Sequence, residues 1–146
     1  MSDPLELESA LRHLPHGPEF RFIDRVVSLD PGICGVAEYQ VRGDEPFLAG
    51  HFPADPLFPG VLLLEAAAQL AGVVAQCDPA RSPLPGLKLT AVRAVKFLGS
   101  ARPGDRIRSE ARIIGRMANL FQASVQSHVG SILLMQGEVT LSGTLV

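Results

Sequence analysis

His51 and Glu65 are the two side chains whose types and setting could move protons at neutral pH. His51 stands in Gly50-His51-Phe52-Pro53, inside a segment, residues 43–59, with prolines at 46, 53, 56 and 59. Proline restricts the backbone, and an imidazole held in such a stiff loop is a natural general base. Glu65 is the only charged residue between Asp55 and Asp78. So isolated, a carboxylate either reaches an aqueous pocket or is desolvated, and an acid beside a histidine is the pairing that acid–base chemistry requires. Taken singly, each has a plainer explanation. A loop histidine is more often structural, and a buried Glu65 could be satisfied by hydrogen bonds, with Gln69 one turn on as the partner. Between the two lies Pro59-Gly60, the opening of an apolar run. In a first helical turn the amides of Gly60 and Val61 are unpaired and would stabilise an enolate-like oxygen, although such a pair is more commonly just a helix start.

The elements that must position these residues follow from periodicity. Residues 4–14 predict a short amphipathic helix with Leu7, Ala10, Leu11 and Leu14 on one side, stopped by Pro15 and Pro18. Residues 20–29 and 33–41 predict two strands joined at Asp30-Pro31-Gly32. The proline-rich segment is expected to be neither helix interior nor central strand, and an irregular stretch of that length is usually functional. Residues 59–77, opened by Pro59 and rich in Leu and Ala, predict a helix buried on every side. Four strands follow, three with period-two alternation. The sum is an α+β domain, a curved antiparallel sheet around one buried helix.

With 146 residues, 47% apolar and 19% charged, the chain is expected to be one domain, 1–146, with a real core. A net charge of −2 and scattered glycines exclude disordered and collagen-like classes. Residues 88–116 carry eight basic side chains against Asp105 and Glu110, whereas residues 1–87 carry five basic against twelve acidic. One basic stretch without Trp or Tyr argues against nucleic acid and suggests either solvated strand faces or docking of an acidic partner. Cys34 and Cys77 lie far apart without CxxC spacing, and Met1 to Glu8 is acidic where a secretory leader would be basic. The most apolar run, broken by Glu65 and Gln69, is too short to span a bilayer. A reduced, soluble, cytoplasmic protein is expected. His13 and His16 flank the end of the first helix and could cap or bridge it; no third metal ligand is evident nearby, and neither metal nor cofactor is expected.

The run from Gly50 to Gln69, GHFPADPLFPGVLLLEAAAQ, resembles the active-site signature of the β-hydroxyacyl-acyl-carrier-protein dehydratases of FabZ and FabA type, which have the hot-dog fold. Histidine, three prolines, glycine and glutamate keep that family's spacing. Leu14-Pro15-His16 with Phe22-Ile23-Asp24-Arg25-Val26 is similar to its N-terminal motif, and Val95-Lys96-Phe97 with Pro103-Gly104-Asp105 to its sheet motif. The chain departs from the family's pattern at Gly17-Pro18-Glu19 and at Leu98-Gly99-Ser100.

The resemblance implies a mechanism. His51 removes the C2 proton of a (3R)-3-hydroxyacyl thioester, Glu65 protonates the departing C3 hydroxyl, and the Gly60 and Val61 amides hold the thioester carbonyl, supported by Gln69 and Phe52. The product is a trans-2-enoyl thioester, in fatty-acid or polyketide-type synthesis. Glutamate at 65, where isomerising relatives have aspartate, implies dehydration alone. Each site would be built across a homodimer, His51 from one protomer and Glu65 from the other, with a hexamer as a further assembly. An acidic acyl carrier protein would dock on Lys96, Arg102 and Arg106. The resemblance also implies a cis peptide before Phe52. Two other readings fit the residues: a hot-dog thioesterase using Glu65 to activate water, which leaves His51 unexplained, and a non-catalytic acyl-carrier-binding subunit.

Overall fold

The computed structural model describes residues 4–144, so the two ends of the expected 1–146 domain, residues 1–3 and 145–146, lie outside the described residues. Helix α1, Pro4–Ala10, passes into a 3-10 turn, Leu11–His13, and a second 3-10 turn spans Pro18–Phe20. Strands β1, Arg25–Asp30, and β2, Cys34–Gln40, form a hairpin whose turn uses Gly32 at φ 77°. A one-turn helix α2, Pro46–Gly50, precedes the long helix α3, Gly60–Gln76. Strands β3, Lys88–Phe97, β4, Arg106–Met117, β5, Leu120–Val129, and β6, Ile132–Ser142, complete the order.

All six strands form one antiparallel sheet in the order β1-β2-β4-β5-β6-β3. Helix α3 packs against β2, β4, β5 and β6. Its residues from Ala66 to Ala75 are all buried, while Val61 in the first turn is 67% exposed. An apolar circumference therefore did signal a helix wrapped by sheet, except at the open N-terminal turn. The wrap is close: a Cβ on Gly35 of β2 would lie 2.9 Å from Val74 Cγ2, so only glycine admits the helix there. The hairpin turn is tied to the same helix, Gly32 N–H donating to Val74 O at 2.8 Å.

Three expectations need correction. The first strand begins at Arg25 rather than at residue 20, because the stretch before it is held to α3 by a side chain. Gln69 donates to Phe20 O at 2.9 Å and accepts from Phe22 N–H at 3.0 Å, and the consecutive residues Phe22 and Ile23 are both buried. The proline-rich segment is not wholly irregular, since Pro46 occupies the first position of α2, where its missing N–H costs nothing. Pro59 is the N-cap of α3, extended at ψ 129°, and Gly60 is the first helical residue.

Candidate active site

Phe58 anchors the loop that carries the histidine. It is buried among Phe47, Tyr39 and Phe22, ring centroids 5.6, 5.7 and 6.0 Å away, and its N–H donates to Ala101 O at 2.8 Å. Its neighbours on either side do the positioning: Leu57 offers a carbonyl to His51, and Pro59 caps the N-terminus of α3. Upstream, Glu45 braces the entry to α2. Its carboxylate accepts from Tyr39 Oη at 2.7 Å and from the amides of Arg42 and Gly43. Burial alone would raise the Glu45 pKa, but the Tyr39 hydroxyl and these amides outweigh it and hold it below the ordinary value. Burial, then the Glu45 hydrogen bond, pushes the Tyr39 phenol up. A carboxyl depressed in the folded state stabilises above its unfolded pKa and loses that contribution as pH falls through the folded value. Below about pH 4, wild type should therefore lose stability that Glu45→Gln does not. Melting temperatures followed against pH check this, and parallel curves for the two proteins would contradict it.

His51 caps the C-terminus of α2, its N–H on Leu48 O at 3.3 Å. Its Nδ1 lies 2.8 Å from Leu57 O. A carbonyl can only accept, so Nδ1 carries the hydrogen, and in the neutral ring Nε2 is the nitrogen that keeps a free lone pair. Phe52 follows at φ 56°, its ring 4.4 Å from the imidazole. No cis peptide bond occurs among the described residues, so the unusual backbone at this corner is the left-handed φ of Phe52. A bulky residue is rarely found there, and the torsion turns the chain away immediately after the histidine.

Glu65 lies just over one turn into α3, with its side chain 21% exposed. Of the two settings open to it, the structure selects a pocket. A cavity of about 220 Å³ is lined by Glu65, His16, Gln69, Gly72, Leu89 and Leu141, among others. Gln69 Nε2 is 3.3 Å from Glu65 Oε1, the partner anticipated from spacing. The other contact was not anticipated: His16 Nε2 lies 3.2 Å from the same oxygen. The residues had suggested only capping or bridging for His16, and its place in the Leu14-Pro15-His16 motif was the available signal. Gly60 and Val61 open α3 beside the sheet edge, and a Cβ on Gly60 would lie 3.3 Å from Phe97 Cδ1. The missing side chain leaves the first-turn amides approachable.

Within one chain His51 and Glu65 are not brought together. Among the described residues no hydrogen bond or ion pair joins them, and His51 does not line the cavity of Glu65. The basic residues are split as well. Lys96 is exposed on β3, Arg102 is ion-paired with Asp55, and Arg106 Nε lies 3.8 Å from Glu38 Oε2. Among the described residues no three His, Cys, Asp or Glu cluster as metal ligands, and no helix is long and apolar enough to cross a membrane.

The FabA-like domain model matches residues 14–141. The chain is 37% identical to the 3-hydroxyacyl-acyl-carrier-protein dehydratase FabZ of Ruminiclostridium cellulolyticum over 90% of its length and 92% of that protein. It is 36% identical to the FabZ dehydratase of Lawsonia intracellularis, covering 99% of this chain and 97% of the other. Among solved structures it resembles the dehydratase heterocomplex ApeI:P of Xenorhabdus doucetiae, with TM-score 0.78, 16% identity and coverage of 99% and 93%. It also resembles zebra fish thioesterase superfamily member 2, with TM-score 0.72, 15% identity and coverage of 99% and 100%. Likenesses at that identity establish the fold, which serves more than one chemistry and so does not choose among them. The sequence relatives and the domain model together do choose: this hot-dog chain belongs to the FabA-like family, on its FabZ dehydratase side.

Proposed function

We propose that the protein dehydrates (3R)-3-hydroxyacyl thioesters carried on acyl carrier protein. What carries the reading is the state of His51, whose Nδ1–H is committed to Leu57 O and whose Nε2 is left as a base. Nε2 takes the C2 proton, and the C–H electrons move first toward the thioester carbonyl, where the Gly60 and Val61 amides receive the charge. They then form the C2–C3 double bond as the C3–O bond breaks. Glu65 gives its proton to the departing hydroxyl, so water leaves. Transfer of the proton from His51 back to Glu65 resets the site.

The site is completed by a second copy of the chain. Among the described residues β3 is an edge strand paired with β6 alone, and all of it but Val95 is exposed, Val92 and Phe97 included. Such an edge invites pairing. Phe97 stands beside Gly60, so a partner docking on β3 arrives at the start of α3 and can bring its His51 to this chain's Glu65. Sedimentation should return the mass of two chains or a multiple; an active 15.6 kDa monomer contradicts it. Of Lys96, Arg102 and Arg106, Lys96 is the one without a carboxylate partner among the described residues, and it is left exposed for an acidic carrier protein. Lys96→Glu should raise KM severalfold for the carrier-bound substrate and leave KM for a coenzyme A thioester unchanged. Equal effects on both substrates would remove Lys96 from the docking surface. Free thiols at Cys34 and Cys77 suit a reducing cytoplasm, and recovery of the activity from an exported fraction would contradict that location.

Mass spectrometry of a short (3R)-3-hydroxyacyl carrier protein incubated with the enzyme tests the reaction. Loss of one water with the thioester intact is the expected result, the product being the 2-enoyl and not the 3-enoyl isomer. Release of free thiol would indicate a thioesterase, and an unchanged substrate across several chain lengths a binding subunit.

A further inference from the structure

We propose that His16 is a positioning residue that fixes which oxygen of Glu65 delivers the proton; this rests on the reading of Glu65 as the acid. His16 Nε2 lies 3.2 Å from Glu65 Oε1, and its Nδ1 is buried without a hydrogen-bond partner. A hydrogen on Nδ1 would be an orphaned buried donor, whereas a bare lone pair there is tolerated more readily. The geometry therefore selects the neutral ring with the hydrogen on Nε2, donated to Oε1. Gln69 Nε2 reaches that same oxygen at 3.3 Å. With two donors gathered on Oε1, and no donor among the described residues on Oε2, the acidic proton belongs on Oε2.

The fold makes His16 suitable for this work. Gln69 clamps the chain after His16 to α3 through Phe20 O and Phe22 N–H, so the imidazole and the carboxylate are held to one helix although 49 residues apart. The His16 ring also lies 5.9 Å from that of Phe20. It takes no proton from substrate. It restricts the rotation of the Glu65 carboxyl, which otherwise would present either oxygen, and orientation of this kind acts on turnover rather than on binding.

The test compares His16→Gln with His16→Met, two side chains of nearly equal size of which only glutamine keeps a donor. His16→Met should lower kcat by about 10- to 100-fold with KM little changed, and His16→Gln should recover most of that loss. Two-dimensional 1H–15N spectra of the histidine rings should show His16 protonated at Nε2 and bare at Nδ1. Wild-type kcat in His16→Met, equal losses in both variants while both remain folded, or a hydrogen on Nδ1 would each overturn the proposal. Glu65→Gln, run alongside, separates it from the reading beneath it. If that variant is inactive while His16→Met turns over normally, the positioning role alone falls; if Glu65→Gln is fully active, the acid assignment falls first and His16 with it.

Discussion

His51→Asn and Glu65→Gln should each lower kcat/KM for a 3-hydroxyacyl thioester by about 100- to 10,000-fold, the usual worth of a positioned acid or base, with little change in thermal stability. The two substitutions are chosen to keep the local bonds. Asparagine retains an N–H that can reach Leu57 O in place of Nδ1, but it has nothing that corresponds to the free Nε2. Glutamine at 65 keeps a carbonyl oxygen to accept from His16 and Gln69, but it holds no proton to release. Folded variants that still turn over near the wild-type rate would remove the residue concerned from the chemistry.

Phe58→Ala should destabilise the protein by about 3–5 kcal/mol, the cost of emptying an aromatic site in a packed core. Phe58 is 2% exposed and meets three other rings, Phe22, Tyr39 and Phe47. The effect should reach the site as well, because the carbonyl that orients His51 and the residue that caps α3 lie immediately on either side of Phe58. Urea denaturation of the variant measures the first effect, and activity well below the melting transition the second. A loss under about 1 kcal/mol would mean that the cluster closes over the gap.

The residues of the candidate site were legible for local reasons. Glu65 stands out because nothing else charged shares its apolar run, His51 because prolines hem its loop, and Gly60 because it follows a proline at a helix start. The buried helix and the strand alternation are equally local signals, and the element order follows from them. What was not legible depends on contacts distant in sequence. His16 meets Glu65 only because Gln69 folds residues 20–22 back onto α3, and that clamp also delays the first strand to Arg25. The one-turn helix α2 is too short to leave a period in the sequence, although Pro46 marks its start. The exposure of all of β3 but Val95 reflects its place at the sheet edge, a matter of strand order that no single strand encodes.

The central claim is that each site takes His51 from one chain and Glu65 from the other, and complementation between two inactive variants tests it most directly. His51→Asn and Glu65→Gln, unfolded together and refolded at equal concentration, assort into dimers of which about half are mixed, each mixed dimer having one of its two sites intact. The mixture should therefore recover about a quarter of wild-type activity, far above either variant alone. If native mass spectrometry shows the mixed dimers present and activity stays at the level of the single variants, the two residues do not work across the interface and the composite site is wrong.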